Sequence, residues 1–453
     1  MSDVIAAIAT GKQPCAIGIV RLSGEGCSEV VQKVFRLRGD VPIREAENRK
    51  LLLGTLYDPQ GRMLDQAMLV YARAPRTYTG EDTVELQCHG SPAVLSAALD
   101  ALFRAGARQA LPGEFTKRAF LNGRLDLTGA EAVIDLIEAQ TADMAANAAA
   151  QVGGALERRI TPIYDALADI CSHYHAVIDY PDEDIPEFRL RSFAQTLSDA
   201  QARLQALHDT CERGRILKHG VRIALIGKPN TGKSSLLNAL AGADRVIVTE
   251  QAGTTRDTVE ELVRFGRVPA RLTDTAGIRE TDDRIEALGV ARARDAAEQA
   301  ELTVLVCDGS APLDEEDRAA IRAAKEARRA IAMLNKADLP SAVAASELPF
   351  ETVLSVSALD GTGLAALTRY IENEFSDSLP CDGGILTNVR QADAVRRAVE
   401  AIADARSAMQ AGITPDAVLT EIEAAMAALG ELTGRTVRED ITNRIFERFC
   451  VGK

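Results

Sequence analysis

The chemistry legible in this chain is densest between residues 227 and 358. Gly227-Lys228-Pro229-Asn230-Thr231-Gly232-Lys233-Ser234-Ser235 carries two glycines five apart, the second followed directly by lysine and serine. A loop of this kind turns successive backbone N–H groups onto phosphate oxygens, and a following helix N-terminus adds its partial positive charge. The stretch from Asn230 to Ser235 then lines the phosphates, with Lys233 reaching the β- and γ-phosphates and Ser234 a Mg²⁺ ion. Asp274-Thr275-Ala276-Gly277 supplies a carboxylate near the metal and a glycine amide near the γ-phosphate. In Asn335-Lys336-Ala337-Asp338, the aspartate can accept hydrogen bonds from guanine N1–H and the 2-amino group. Adenine offers no such pair of donors, and losing a site-matched hydrogen bond is heavily penalised. Ser357-Ala358 places a backbone amide against the guanine 6-oxo group. Four segments in this order predict a guanine-specific P-loop nucleotidase that binds GTP with Mg²⁺.

Such loops must be carried by strand–loop–helix units. Val221–Ile226 reads as a buried strand before the glycine-rich loop, and Leu236–Leu240 as helix after it. Strands are expected before Asp274, at Ile331–Leu334 before Asn335, and at Thr352–Val356 before Ser357. Strands and helices thus alternate over 218–376, as in an α/β domain. Over 1–120, short apolar stretches such as Ala16–Val20 and Met68–Tyr71 alternate with turn signals and with helical stretches such as Pro92–Ala105. Helical texture then covers Ala130–Gln151, Leu156–Ile178 and Phe193–Glu212, breaks at the acidic, proline-bounded Pro181–Pro186, and resumes over Gln391–Leu432 and Arg438–Phe449. The predicted architecture is multidomain α/β and α+β. An N-terminal α+β domain (1–120) precedes a discontinuous all-α helical domain (121–217 and 377–453), into which the α/β domain (218–376) is inserted.

Composition agrees with a packed, multidomain protein of 453 residues, 46% hydrophobic and 26% charged. Aromatics make up only 4% and tryptophan is absent, so the cores rest on aliphatic side chains. The formal net charge of −14 argues against a protein that grips nucleic acid over its whole surface. Eight scattered cysteines form no Cys-x-x-Cys pair, which fits a reducing compartment rather than a zinc or dithiol motif. No apolar run approaches the ~20 residues that span a bilayer, and Met1-Ser2-Asp3 does not begin a secretory signal. The expected location is cytoplasmic.

Asn230, together with Gly253-Thr254-Thr255-Arg256-Asp257, resembles the translation-factor-related P-loop GTPases and, among them, the MnmE (TrmE) family of tRNA modification GTPases. The resemblance implies that Thr255 completes the Mg²⁺ shell. It makes Thr249–Thr255 a potassium loop, with Asn230, Thr249, Gln251 and Thr254 around a K⁺ ion near the β/γ-phosphates when two such domains meet. Phosphoryl transfer is catalysed mainly by positioning and charge neutralisation, and a monovalent cation can supply the charge that an arginine finger supplies elsewhere. Ile278 follows Gly277 where Ras-like proteins place a water-orienting glutamine. The family assigns that role to a glutamate, which Glu286 matches here.

The flanks carry the same likeness. Ile19–Gly24, Tyr78–Gly90, Pro112–Phe120, Leu121–Leu127 and the terminal Phe449-Cys450-Val451-Gly452-Lys453 each resemble the corresponding family segment. This implies an N-terminal domain that forms a homodimer and binds a reduced folate (5,10-methylene- or 5-formyl-tetrahydrofolate) through Arg21, Glu85, Arg124 and Lys453. A lysine is also found in the family at the position of Arg124, which keeps the charge and changes the donor geometry. Read without the family, these residues are a carboxylate and cations suited to a pterin edge and an acidic tail, or else surface salt bridges. Cys450 is either a thiol activated by neighbouring cations and used in the modification chemistry, or a packed, inert one. His173 and His175, two apart on a helix, project from different faces, which argues against their ligating one metal. His89 is expected in a Gly-containing turn. The implied partners are tRNA and the FAD-dependent flavoprotein MnmG (GidA), in a heterotetramer or larger complex that adds a carboxymethylaminomethyl or aminomethyl group to C5 of wobble uridine. The alternative is a ribosome-assembly or regulatory GTPase, which would carry an RNA-binding module after the α/β domain; none is visible in the sequence.

Overall fold

A computed structural model describes residues 3–11, 13–179, 187–243, 260–274, 296–375, 382–436, 445–447 and 449–452. The chain divides into two compact units: Met1–Ile137 with Ala149–Leu204 and Asp393–Lys453, and Glu138–Ala148 with Gln205–Ala392.

The first unit holds a seven-stranded sheet. In chain order its strands are β1 (Ile5–Ile8), β2 (Cys15–Ser23), β3 (Phe35–Leu37), β4 (Leu51–Tyr57), β5 (Met63–Ala72), β6 (Thr83–Gly90) and β7 (Arg108–Gln109). Their order across the sheet is β3-β4-β5-β6-β2-β1-β7, antiparallel throughout except for the β1–β7 pair. Side chains alternate faces along a strand. Val20 and Leu22 of β2, Leu69 of β5 and Val84 and Leu86 of β6 all turn to one side and are buried with Leu102 of helix α2 (Pro92–Ala105). Each large aliphatic side chain buried in this way contributes about 1.5–3 kcal/mol. The odd-numbered residues Arg21 and Glu85 consequently project from the opposite face, and register sets them directly across from each other.

The helices that follow are α3 (Glu114–Leu121), α4 (Leu127–Ile137), α5 (Ala142–Val152), α6 (Ala155–Asp179) and α7 (Glu187–His208), of which α3, α4 and α6 belong wholly to this unit and α5 and α7 are divided between the two. The helix expected over Ala130–Gln151 is two helices, because the Thr141 hydroxyl accepts the Met144 N–H at 3.2 Å and starts a new helix there. The helix expected over Phe193–Glu212 also stops early. Thr210 Oγ1 donates to the Leu207 carbonyl at 2.7 Å, and α8 (Cys211–His219) begins afresh.

The second unit is built on a six-stranded sheet of β8 (Val221–Ile226), β9 (Glu260–Phe265), β10 (Val268–Asp274), β11 (Leu302–Asp308), β12 (Ala330–Asn335) and β13 (Val353–Ser355). Its order is β13-β12-β11-β8-β10-β9, parallel except for the β9–β10 pair. Strands β8, β11 and β12 are buried along nearly their whole length, as central parallel strands covered on both faces must be. Leu236 and Leu240 of α9 (Lys233–Ala243) and Leu367 and Ile371 of α11 (Leu364–Phe375) cover one face. Ile321 and Ala324 of α10 (Glu315–Lys325) cover part of the other. Two further helices, α12 (Val389–Gln410) and α13 (Pro415–Thr433), belong to the first unit from Asp393 onward and replace the single stretch expected over Gln391–Leu432; Gly412 falls between them and Pro415 opens α13. No helix among the described residues is long and apolar enough to cross a membrane.

Candidate functional site

The glycine-rich loop leaves the C-terminal end of β8, which lies between β10 and β11, and runs into α9 at Lys233. Strand order changes direction at that place, so the crevice beyond the strand ends opens there. Two residues of the loop take left-handed backbone, Asn230 (φ 63°) and Gly232 (φ 90°). A side chain on Gly232 would collide with the Asn335 amide. That close approach has a purpose: Asn335 Nδ2 donates to the Thr231 carbonyl at 2.8 Å, and Asn335 Oδ1 accepts the Ala358 N–H at 3.1 Å. One buried asparagine therefore ties the loop after β8 to the loop after β13.

Lys233 is buried, and its ammonium donates to the carbonyls of Gly227 and Lys228, each at 2.7 Å. Ser234 and Ser235 are exposed at the first turn of α9. Lys228 Nζ is held by Asp314 and Asp317, both at 2.7 Å. Burial works against its charge, yet the hydrogen bonds to Asp314 and Asp317 hold the ammonium above the usual lysine range. These two aspartates also form the capping box of α10, each side chain accepting the other's backbone N–H. Lys228 is thus a brace for the loop that was not singled out from the sequence; its signal lay in an ion pair 86 residues distant.

At the neighbouring strand ends, Lys336 Nζ donates to Asp308 Oδ2 at 2.6 Å. Burial opposes ionisation of Asp308, but the Lys336 contact keeps its carboxyl below the ordinary range. The Ser357 hydroxyl donates to Asp338 Oδ1 at 2.6 Å, and Asp338 itself is exposed. Asn230, Thr231, Gly232, Lys233, Ser234, Ser235, Asn335, Lys336, Asp338, Ser357 and Ala358 are therefore collected at one edge of one sheet. Asp274 ends β10, paired in register with Leu225 of β8. Gly277, Thr249, Gln251, Thr254, Thr255 and Glu286 lie outside the described residues, as does the side chain of Asp274.

A second cluster forms on the open face of the first unit's sheet. Arg21 Nε donates to Glu85 Oε1 at 2.8 Å, and its guanidinium lies 5.9 Å from the Tyr78 ring centre and 5.8 Å from that of Phe115. Arg124 Nε donates at 3.1 Å to the carbonyl of Thr77, next to Tyr78. Burial raises the Tyr78 phenol above its ordinary range, and its hydroxyl pairs with Thr116 at 2.8 Å. The chain's last residues reach the same cluster. Val451 bridges Pro112, and the Gly452 carbonyl lies 3.5 Å from Arg21 Nη1. Gly452 has φ 102°, and a side chain there would strike the Ile8 carbonyl. Cys450 is exposed and its carbonyl accepts the Gly113 N–H at 3.4 Å, while Lys453 lies outside the described residues. Tyr78 and Phe115 were not expected in this site. Only the register of β2 against β6 and the packing of α3 bring them under Arg21.

His89 lies within β6 rather than in a turn; its Nδ1 is 2.7 Å from Asp65 Oδ1, and its backbone N–H is also taken by Asp65. His173 and His175 diverge, the first meeting the Phe193 ring at 5.4 Å and the second Glu423 at 3.1 Å.

A phosphate-type loop after the central strand of a mainly parallel sheet, with a guanine-type Asn-Lys-x-Asp loop two strands away, defines a P-loop GTPase. Residues 4–124 match the family model for the GTP-binding protein TrmE N-terminus, and residues 127–450 that for the MnmE helical domain. The tRNA modification GTPases MnmE of Roseiflexus sp. (strain RS-1), Heliobacterium modesticaldum and Aquifex aeolicus are 42%, 41% and 40% identical to this chain. Each alignment covers 100% of this chain and 99–100% of the relative. The chain belongs to the MnmE family of tRNA modification GTPases.

Proposed function

We propose that this protein hydrolyses GTP to drive modification of tRNA, acting as a homodimer with the FAD-dependent flavoprotein MnmG. The product would be a carboxymethylaminomethyl or aminomethyl group at C5 of wobble uridine in certain tRNAs. Membership of the MnmE family over the full length is the observation that carries this reading. In this proposal residues 1–120 form the folate-binding and dimerisation domain, 218–376 the G domain, and 121–217 with 377–453 the helical domain.

The donors fit the ions and cofactor that the reading requires. Ser234 offers an exposed hydroxyl at a helix start and Asp274 ends the adjacent strand, an all-oxygen set suited to Mg²⁺; Thr255 would complete it. Asn230, exposed and in left-handed backbone within the phosphate loop, would offer its side-chain oxygen to K⁺, joined by Thr249, Gln251 and Thr254. Bound there, these cations would neutralise charge on the β- and γ-phosphates. Lys233 would exchange its two carbonyl partners for phosphate oxygens, and Asp338 would accept the guanine N–H groups. Glu286 would orient the attacking water, since Ile278 cannot.

For a reduced folate, the cation of Arg21, the carboxylate of Glu85 and the aromatic rings of Tyr78 and Phe115 suit a flat, N–H-bearing heterocycle. Arg124 and Lys453 would meet its acidic tail, and the folate would supply the one-carbon unit. Cys450, exposed at the end of the chain, is available to take part in that chemistry. Ile17, Leu51 and Leu53 are exposed on the sheet face that carries Arg21 and Glu85, which supports burial of that face against a second copy.

Steady-state GTP hydrolysis in KCl and NaCl at equal ionic strength tests the cation assignment. Stimulation by K⁺ that is lost in Asn230→Ala is expected; equal rates in the two salts would remove the potassium mechanism and return the assembly-GTPase reading. Undiminished turnover in Glu286→Gln would remove that residue from the catalytic step. Nucleoside analysis of tRNA from cells lacking the protein tests the function itself, through loss of the C5-modified wobble uridine.

A further inference from the structure

Cys171 and His175 stand four residues apart on α6, a spacing that puts both side chains on one face of the helix. Glu423 of α13 reaches the same place, because α6 packs along α13. His175 Nε2 and Glu423 Oε1 are 3.1 Å apart, and Cys171 Sγ, the imidazole nitrogen and the carboxylate oxygen all lie within 4.8 Å of one another. This is the one cluster of three such groups among the described residues. We propose that Cys171, His175 and Glu423 form a binding site for a divalent transition metal ion of the zinc class, with a fourth coordination position left for water or an external ligand.

The donor chemistry selects the ion. One thiolate, one imidazole and one carboxylate suit borderline ions such as Zn²⁺ or Co²⁺, whereas Mg²⁺ and Ca²⁺ prefer oxygen throughout. With bond lengths of about 2.0–2.3 Å, ligand atoms around a tetrahedral ion lie about 3.3–3.6 Å apart. The cluster reaches that spacing by small side-chain rotations, for which His175 and Glu423 have room at 54% and 52% side-chain exposure. Cys171 is half-buried, so the two more exposed ligands would close on the sulfur. Binding exchanges one proton for the ion, Cys–SH + M²⁺ → Cys–S–M⁺ + H⁺, with the imidazole ligating through neutral Nε2. Because the ligands come from two helices that are far apart in sequence, the ion ties α6 to α13.

Titration of the full-length, chelator-treated protein with Co²⁺ tests this directly. A thiolate-to-cobalt charge-transfer band should grow to one ion per chain, and Zn²⁺ should remove it. Co²⁺ in an all-oxygen Mg²⁺ site gives no such band, so the nucleotide site does not confuse the reading. Cys171→Ser should abolish the band while Cys450→Ser retains it. His175→Ala and Glu423→Gln should each weaken Co²⁺ binding by no less than the ~10–100-fold that loss of an outer-shell partner costs. No band in the wild type, or a band that survives Cys171→Ser, overturns the proposal. Circular dichroism and GTP turnover report whether the variants are folded. Should Cys171→Ser not fold, wild-type Co²⁺ affinity in His175→Ala and Glu423→Gln would overturn it equally.

Discussion

The two candidate sites of this chain are assembled in opposite ways. At the nucleotide site, nine consecutive residues form the phosphate loop and two short segments complete the guanine side. Each segment follows a strand of one mainly parallel sheet. At the Arg21 cluster no segment is sufficient alone. Arg21 meets Glu85 across 64 residues and Gly452 across 431 residues, and lies against two aromatic rings from other loops and helices. The first site is local chemistry presented by a scaffold, and the second exists only once strand register and the docking of the tail are correct. Substitutions at the first should therefore act on ligand and catalysis alone, whereas substitutions at the second should also disturb how the cluster is held together.

The sharpest test of the first half is Asp338→Asn. Asp338 is exposed at its loop and accepts a hydrogen bond from Ser357, so the change should leave the fold intact. Two hydrogen bonds from guanine to a charged acceptor are worth about 1.5–3 kcal/mol each. GTP affinity should fall ~10²–10⁴-fold, while a xanthine nucleotide, which presents an oxo group at C2, should bind better than to the wild type. Competition binding with GTP and XTP checks both; undiminished GTP affinity would break the local-site picture.

The second half predicts a smaller and more mixed outcome. Arg21→Ala removes the partner of Glu85 and the cation over Tyr78 and Phe115 together. Binding of 5-formyl-tetrahydrofolate, measured calorimetrically, should weaken ~10–10²-fold, the loss of one charged hydrogen bond. Arg21→Lys should recover only part of this, because a point charge lacks the planar fork that faces Glu85 and the rings at once. Full recovery by lysine would mean that charge alone is read, and the register argument would lose its force.

The same contrast explains what could be read from the sequence. The strands before the nucleotide loops were visible because central parallel strands are apolar runs, and Val221–Ile226 and Ile331–Leu334 stand out as such. Arg21 and Glu85 were reachable only through family resemblance, since nothing local says that β2 and β6 are neighbours. Tyr78, Phe115 and Lys228 were missed for the same reason. The helix breaks at Thr141 and Thr210 were overlooked because one threonine hydroxyl bonding the backbone outweighed a continuous run of good helix formers. The two histidines drew attention as a pair two apart, which a helix separates. The pair that the helix brings together is Cys171 and His175, four apart, and its third member, Glu423, comes from a helix 248 residues beyond His175 along the chain.

Lys228 is where the comparison can be pressed from the other side, since it gives the local site a long-range support. Asp314 is held at about 2 mainly by its hydrogen bond from Lys228 and by the Asp317 backbone N–H, below the ordinary carboxylate value of 3.8. A carboxyl lowered on folding contributes stability above its unfolded value, and that contribution is lost as pH falls toward the folded value. Asp314→Asn keeps a side-chain oxygen to cap α10 but removes the charge opposite Lys228. The wild type should therefore exceed the variant in stability by a small, constant amount above pH ~4. The difference should shrink between 3.8 and about 2, read on the unfolding transition that GDP shifts. Asp314 is the more exposed of the two partners of Lys228, so this should be the smallest of the three effects. A gap that stays constant down to pH ~2 would show that the cap, rather than the ion pair, holds the loop, and the nucleotide site would then be local in every respect.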